Sequence, residues 1–368
     1  MRRLLVTGAA GFIGSNFVHY WLGRHPDDRL VALDALTYAG NRESFEAATL
    51  QRGFRFVHGD IRDLDLVISL LTEERLDTIV HFAAESHVDR SIARPDVFLD
   101  VNIVGTHRLL QAARTVWLDP KGSPAKHRFH HVSTDEVYGD LGPDDAPFSE
   151  TTPFRPNSPY AASKAAADHL VRAYHRTYGL ETAISNCSNN YGPYQYPEKL
   201  IPLCVVNLLQ GKDIPVYGDG KNVRDWMYVE DHCAGIERTL ERGQPGRTYN
   251  LGGNCERDNL TLIGTLCKTL DEVFAGDPDL AVRYPAALAA GGRPSAHAIS
   301  FVSDRPGHDR RYAVDARRAA KELGYEPTTD LSAGLRKTVH WYLENEPWWR
   351  GVMGVSYDDW VREQYPDS

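Results

Sequence analysis

Through the first third of the chain, short apolar runs alternate with amphipathic stretches. Leu4-Leu5-Val6 is followed by a glycine-rich turn and then by an apolar stripe running from Ser15 to Leu22. Leu30–Asp34, Phe54–Asp60, Thr78–Ala84 and Arg128–Thr134 repeat the first kind of run, each closing on polar or small residues. Runs this short, bounded by turn residues, predict strands buried on both faces. The segments between them carry helical spacing. Asn102 to Val116, for example, places Ile103, Leu109, Leu110 and Ala113 on one side, a stripe suited to a core or a subunit contact. Alternating strands and helices predict an α/β fold, a doubly wound parallel sheet with right-handed crossovers. After Asn186 the pattern is less regular and richer in Pro, Gly and Tyr, although Ile201 to Gln210 reads as a helix. This predicts a smaller, interleaved α/β lobe, with Trp226–His232 returning the chain to the first lobe. The expected division is 1–186, with parts of about 226–254 and 312–323, for a dinucleotide-binding lobe. About 187–225, 255–311 and 324–368 then form a substrate lobe. The C-terminal part, with Trp341, Trp348 and Trp349, reads as helix and packed tail.

Composition narrows the class. The 368 residues carry a net charge of -9, which argues against nonspecific nucleic-acid binding. No apolar run approaches the roughly 20 residues of a membrane span. Met1-Arg-Arg-Leu-Leu-Val enters a strand directly, so no signal peptide is expected. Cys187, Cys204, Cys233, Cys255 and Cys267 are odd in number and scattered, the pattern of reduced thiols in a cytoplasmic protein.

The chemistry-bearing residues fall at strand ends. Thr7-Gly-Ala-Ala-Gly-Phe-Ile-Gly14 follows a strand and opens a helix, the context in which Gly8, Gly11 and Gly14 admit a pyrophosphate to the helix N-terminus. Asp34 closes the second strand, twenty residues past Gly14, where a carboxylate binds ribose hydroxyls and repels a 2′-phosphate. NAD is therefore expected over NADP. Asp60 has two readings, an adenine contact or the cap of the helix near Leu64. Ala83 and Ala84 are small enough to let a cofactor lie against the backbone. In the loop after them, Ser86 is the preferred substrate contact.

Ser133-Thr-Asp-Glu-Val-Tyr-Gly139 and Tyr160-Ala-Ala-Ser-Lys164 form the centre. Tyr160 and Lys164 share a helix face. Lys164 and a positive nicotinamide ring would hold Tyr160 as a phenolate base. Ser133 or Thr134 would hydrogen-bond the reacting hydroxyl. Adjacent burial of Asp135 and Glu136 would push their pKa values apart and yield one acid and one base.

These motifs resemble the extended short-chain dehydrogenase/reductase family, whose dinucleotide lobe is Rossmann-like, and within it the dTDP-glucose 4,6-dehydratases. Further marks are Thr37-Tyr-Ala-Gly-Asn41, Ala83–Ser91, Asn186–Pro193, Pro197–Pro202, Arg224-Asp-Trp226 and Asp304–His308. The resemblance covers nearly the whole chain, and Thr134-Asp-Glu136 is its most specific mark. It implies a lyase of nucleotide-sugar metabolism and deoxysugar biosynthesis that uses tightly bound, recycled NAD. Tyr160 would take the O4 proton while the C4 hydride moves to NAD. Glu136 would then remove the C5 proton, Asp135 would protonate the departing C6 hydroxyl, and the hydride would return to C6.

The resemblance adds Phe12, Ile13, Leu36, Thr37, Ile61, Phe82 and Asn190 to the cofactor contacts. It implies that dTDP-glucose meets Asn189, Lys199, Leu200, Pro215, Tyr217, Arg224, Asn259, Arg305 and His308, together with Ser86 and Thr134. It also implies a homodimer through the helices near 102–116 and 162–178. Another nucleotide-sugar dehydratase, an epimerase, a decarboxylase or a nucleotide sensor on the same fold remain alternatives. Asp135 separates the first from the epimerases, which need no carboxylate pair. Ala161, Val101 and Ala35 depart from the family's usual serine, threonine and lysine. Residues 286–297 read as a longer surface insertion whose role at the site entrance is open.

Overall fold

The structure, a computed structural model, describes residues 1–118, 126–304 and 307–354. Most of the Lys121–Lys126 connection, and Arg305, lie outside the described residues.

The strands are β1 (Arg3–Thr7), β2 (Arg29–Asp34), β3 (Phe54–His58), β4 (Thr78–His81), β5 (Arg128–Thr134) and β6 (Thr182–Cys187). They continue with β7 (Asn189–Tyr191), β8 (Ile214–Tyr217), β9 (Val223–Tyr228), β10 (Arg247–Leu251), β11 (Glu256–Asp258) and β12 (Ile299–Val302). Seven of them form one parallel sheet in the order β10-β6-β5-β4-β1-β2-β3. The chain winds outward from β1 to β3, then crosses to β4 on the other side of β1. That reversal leaves a crevice above the carboxyl ends of β1 and β4, where open α/β sheets bind ligands.

Both faces of the sheet are covered, which is why its strands are apolar throughout rather than alternating. Phe17, Val18, Trp21 and Leu22 of the helix Phe12–Arg24 pack with Cys233, Ile236 and Leu240 of the helix Val229–Arg242 on one face. On the other face Leu70, Leu71, Leu109, Leu110, Trp117 and Val171 join the helices Leu64–Glu73, Thr106–Trp117 and Pro159–Tyr178. Each such fully buried aliphatic side chain contributes roughly 1.5–3 kcal/mol. The stripe expected at 102–116 thus divides. Residues Leu99–Gly105 are a wider helical turn, while Leu109, Leu110 and Ala113 enter the core.

The second lobe is built on the sheet β11-β9-β7 and the pair β12-β8. Its core gathers Ile201, Val205, Leu262, Leu266, Leu335, Tyr342 and Trp349. Residues 286–297, expected as a surface insertion, are mostly exposed and are ordered into turns. They form 3-10 turns at Leu288–Gly291 and Ser295–Ala298, bury Ala287 and Ser295, and are pinned by Asp271, which accepts the Ser295 amide at 3.1 Å.

Gly8 shows how tightly β1 approaches the β4 loop. Its φ is +67°, and a Cβ there would lie 2.5 Å from Ala83 N. Replacing Gly8 with alanine should cost about 2 kcal/mol or more through strain and this overlap. Thermal denaturation should register a fall of several degrees, and an unchanged midpoint would contradict the packing described.

Candidate active site

β5 carries Ser133 and Thr134 out of the sheet on opposite faces, as successive strand residues must be. This settles which hydroxyl faces Tyr160. Thr134 is the hydroxyl that opposes, against the larger effect of burial, the rise of the Tyr160 phenol. Ser133 turns the other way, toward the Asp168 carboxylate. Thr134 also caps the 3-10 turn Asp135–Tyr138, its Oγ1 accepting the Glu136 amide at 3.3 Å.

The helix Pro159–Tyr178 begins at Ser158, whose hydroxyl accepts the Ala161 amide at 3.0 Å, with proline in the first turn. Tyr160 therefore sits at the helix start and Lys164 one turn on. Both are buried. The Lys164 ammonium donates to the Val132 carbonyl at 2.9 Å, which ties the helix to β5. Burial raises the Tyr160 phenol well above its ordinary value, and Glu136 adds to the rise. Burial lowers Lys164 to about 8, while Asp168 opposes the fall.

The two carboxylates occupy unlike surroundings. Asp135 is 2% exposed, and its Oδ1 accepts the Thr134 hydroxyl at 3.3 Å. Its Oδ2 has no hydrogen-bond partner among the described residues. Burial first, then the charges of Glu136 and Asp225, push it well above the usual carboxylate range. Such surroundings favour the protonated form. Glu136 instead forms part of the wall of the main cavity.

That cavity gathers residues from distant parts of the chain. Ser86, Asn189, Lys199, Leu200, Pro215, Tyr217, Arg224, Asn259 and His308 all line it beside Glu136. Thr134 is not on this wall but reaches Asp135 behind it. Arg224 is aimed by the carbonyls of Val223 and Asp309, at 2.8 and 2.9 Å, and stacks on Tyr312. Lys199 donates to the Ser86 carbonyl at 3.2 Å. The wall also holds residues not expected from sequence, among them His87, Glu198, Trp226 and Tyr312. Glu198 is buried between Arg90 and the Tyr38 hydroxyl, at 3.1 and 3.0 Å. Its position inside Pro197–Pro202 was the available signal.

The groove along β1, β2 and β4 fits a dinucleotide. A Cβ on Gly14 would meet the Gly8 carbonyl oxygen at 2.1 Å, so only glycine allows this turn. Gly11, Phe12 and Ile13 lie in the same turn and helix start. The Asp34 carboxylate is held by the amides of Ala10 and Leu36, each at 2.8 Å. This aims a negative group at the crevice, as ribose hydroxyls require and a 2′-phosphate would not tolerate. Leu36 has a φ of +50°, and Thr37 begins a turn closed by the Gly40 amide.

Four expected cofactor contacts are placed less simply. Asp60 is not the helix cap. Asp63 is, accepting the Leu66 amide, while Asp60 pairs with Arg62 at 2.6 Å. Ile61 turns its side chain into the core, and the Phe82 ring packs on Phe17 at 5.3 Å. The amide of Asn190 is engaged by the Ser188 carbonyl and by His232. Ala83 and Ala84 follow β4 at the crevice. No cluster of described residues is placed to hold a metal ion.

Beneath Tyr160 and Lys164 lies a buried polar network not anticipated from sequence. Asp168, one turn beyond Lys164, is fully enclosed and sits 3.3 Å from His131, itself fully enclosed. Burial raises its carboxyl to about 6, while Lys164 and the Ser133 hydroxyl pull it down. The His131 ring neighbours His81, which bridges Thr7 and Thr106 at 2.8 and 2.9 Å. Burial keeps both imidazoles neutral. Asp168 is thus the anion facing Lys164 from below. Its spacing, Lys-x-x-x-Asp, was the readable signal.

Comparison with known proteins follows the same lines. The family described as GDP-mannose 4,6 dehydratase matches residues 5–338. A dTDP-glucose 4,6-dehydratase of Neisseria meningitidis is 49% identical over 358 residues, covering 97% of this chain and 98% of that protein. A dTDP-glucose 4,6-dehydratase from Streptomyces venezuelae, solved with NAD bound, superposes with a TM-score of 0.84 at 48% identity, covering 95% of this chain and 99% of that one. One from Bacillus anthracis, in complex with NAD, gives 0.82 at 41% identity, covering 96% and 100%.

Asp168→Asn should expose the role of the buried pair. Lys164 must be protonated to stabilise a phenolate, so activity is lost as pH rises through the lysine's pKa. Removing the carboxylate removes what holds that pKa up. The alkaline limb of the pH–rate profile should move to lower pH by roughly one unit or more. A limb that stays in place would show that Asp168 does not set the charge of Lys164.

Proposed function

Since this chain belongs to the GDP-mannose 4,6 dehydratase family, within the extended short-chain dehydrogenases/reductases, we propose that it converts dTDP-glucose to dTDP-4-keto-6-deoxyglucose and water. It is an NAD-dependent hydro-lyase. The observation that carries this reading is the Asp135–Glu136 pair. One member is buried and pushed toward its acid form, and the other faces the substrate cavity, both close to Tyr160.

NAD bound in the groove supplies the hydride acceptor at C4 and the hydride donor at C6. The protein does the rest. Tyr160, as phenolate, takes the proton of O4. Lys164 supplies the positive charge that makes the phenolate accessible, and Thr134 steadies it by a hydrogen bond. Oxidation at C4 acidifies the C5 proton, which Glu136 removes from the cavity wall. Asp135 gives its proton to O6, which leaves as water. Glu136 then returns a proton to C5. Two carboxylates in opposite protonation states are what this elimination demands. Arg224 supplies a guanidinium for the diphosphate, with Asn259 and His308 completing that end. Pro215 and Tyr217 border the base, and Ser86, Asn189, Lys199 and Leu200 hold the sugar side.

Residues 1–186, with parts of 226–254 and 312–323, serve the cofactor, and the rest serves the sugar nucleotide. The chain acts in the cytoplasm as a homodimer. All five cysteines are unpaired thiols, and no described helix is long and apolar enough to cross a membrane. Ile92, Val97, Leu99, Val104 and Tyr178 leave large apolar side chains exposed on helical segments that pack on one another, a surface suited to a second copy. Sedimentation of the wild-type protein should give a mass near twice 41.2 kDa. Leu99→Glu with Val104→Glu should shift it to the monomer, and a wild-type monomer would refute the dimer.

The activity is tested by mass spectrometry of dTDP-glucose incubated with the protein in heavy water, without added NAD. The product should lack one water and carry one solvent deuterium at C5. Glu136→Gln should lower turnover by roughly 10²–10⁴-fold while C4 oxidation persists. Unchanged dTDP-glucose, even with NAD supplied, would overturn the assignment.

A further inference from the structure

Three walls of the dinucleotide groove come from separate parts of the chain. One is the helix Phe12–Arg24 behind the glycine turn, one is the loop after Asp34, and one is the segment after β4. A single stretch of the second lobe, Pro193–Lys199, is fastened to all three. The side-chain amide of Asn16 donates to the Pro193 carbonyl at 2.8 Å, and the His19 ring stacks on Tyr194 at 5.5 Å. The Tyr38 hydroxyl donates to Glu198 at 3.0 Å. From the third wall Arg90 pairs with the same carboxylate at 3.1 Å, and the Ser86 carbonyl accepts from Lys199 at 3.2 Å.

These ties are costly to open. The Glu198 side chain is 1% exposed, and parting it from Arg90 or Tyr38 strips a buried carboxylate of its compensation. Arg90 also lies over the Tyr38 ring at 3.9 Å, so two walls meet through the ring as well as through the carboxylate. The stretch is held from behind too. Tyr194 keeps a φ of +63°, which a bulky residue adopts only where its surroundings impose it. Trp341 and Trp348 pack edge-on against its ring at 4.7 and 5.8 Å, and the next carbonyl, of Gln195, accepts the Tyr342 hydroxyl. On the cofactor side, the loop that carries Tyr38 is the one that supports Asp34. The Leu36 amide donates to that carboxylate at 2.8 Å, and the Asn41 amide donates to the Ala10 carbonyl at 3.0 Å. A pull on Tyr38 is therefore a pull on the ribose end of the groove.

We propose that Pro193–Lys199 is a clasp on the NAD groove, with Asn16, Tyr38 and Arg90 as its positioning residues, and that a sugar nucleotide in the cavity tightens it. The inference rests on the dehydratase reading for the identity of that nucleotide. The tightening follows from shared residues. Glu198, Lys199 and Leu200 line the sugar cavity, and Tyr38 packs with Tyr217 of the same wall around Tyr196 and Leu203. A ligand seated against Leu200 and Tyr217 braces the clasp from the side on which it would open. NAD then leaves only after the sugar nucleotide has left. This order protects the chemistry. Between the two hydride transfers the cofactor is reduced, and the sugar cannot be completed without it. A clasp that is tightest while the cavity is occupied guards that interval.

The test reads cofactor exchange rather than turnover. Protein carrying NAD is mixed with an excess of isotopically heavy NAD, and native mass spectrometry follows the bound mass with time. The probe for the cavity is dTDP, which occupies the nucleotide end beside Tyr217 and cannot react. In the wild-type protein dTDP should slow exchange roughly tenfold or more. Tyr38→Phe removes one bond to Glu198 and keeps the ring beneath Arg90. It should speed exchange roughly tenfold, since a hydrogen bond to a charged group is lost, and the slowing by dTDP should shrink. Asn16→Ala cuts the tie at Pro193 and should speed exchange severalfold. With NAD in excess, both variants should turn over near the wild-type rate. Exchange that is unchanged in both variants, or a lower melting temperature without faster exchange, would overturn the clasp and leave these bonds to stability alone. Wild-type exchange that dTDP does not slow would overturn the tightening. Either failure leaves the dehydratase reading standing. A protein that exchanges NAD as expected yet forms no dehydrated product would support the clasp and refute only that reading.

Discussion

A charged lysine out of water is the constraint on which the catalytic end of this molecule depends. Moving an ammonium into the protein interior costs several kcal/mol unless partners replace its hydration. Lys164 finds them in the Val132 carbonyl and in Asp168 one helical turn away. Neither partner is available unless the helix Pro159–Tyr178 lies against β5, so the central strand order and the charge of the lysine are specified together. Asp168 needs the same treatment in turn. Ser133 and Lys164 favour its anion, and a neutral His131 fills the remaining side. The interior beneath the active site is therefore polar but nearly uncharged apart from this pair. The charges that bear on Tyr160 from the protein are then those of Glu136, Cys187 and Asp135, to which whatever binds in the groove is added.

Low dielectric also separates the two carboxylates. Asp135 and Glu136 are adjacent in sequence, yet the 3-10 turn capped by Thr134 sends one inward and leaves the other on the cavity wall. Burial disfavours the charged form of the inner one, and Glu136 and Asp225 reinforce it. An acid and a base thus arise from neighbouring residues chiefly by their difference in depth. The sharp turn at Gly139, with a φ of +97°, closes this short segment and keeps the two from exchanging places.

Much of this was legible in the sequence because it is local. A strand, a glycine turn and a helix start define the dinucleotide groove within a few residues, and Tyr160 and Lys164 fall on one helix face by spacing. Alternation along β5 could have separated Ser133 from Thr134, since only one of two consecutive strand residues can face Tyr160. Asp168 was equally within reach at i+4. Its meaning came only from burial, which spacing does not reveal. Asp60 and Asp63 show the limit of local signals. Both lie near the helix start, and which one caps it depends on the backbone path rather than on residue type. Tyr312 and Glu198 were harder still. Tyr312 reaches the cavity because the chain returns beside β9 after more than eighty residues, and no local pattern announces such a contact.

The cavity lies where the two lobes meet, and side-chain bonds fasten it there. Lys199 reaches back to the Ser86 carbonyl after β4, and Glu198 reaches the Tyr38 hydroxyl in the loop after β2. Arg90 sits over the Tyr38 ring at 3.9 Å and pairs with the same carboxylate. The loop that follows Asp34 and Thr37 is therefore tied to the segment that walls the sugar side. In a dehydrogenase that hands its hydride to a second substrate, such a tie would hinder cofactor exchange at every cycle. Here the hydride returns to the same sugar, so the cofactor has no reason to leave between turnovers. A groove braced from the substrate side then suits the chemistry, because it keeps the nicotinamide in register for two hydride transfers while the sugar changes beneath it.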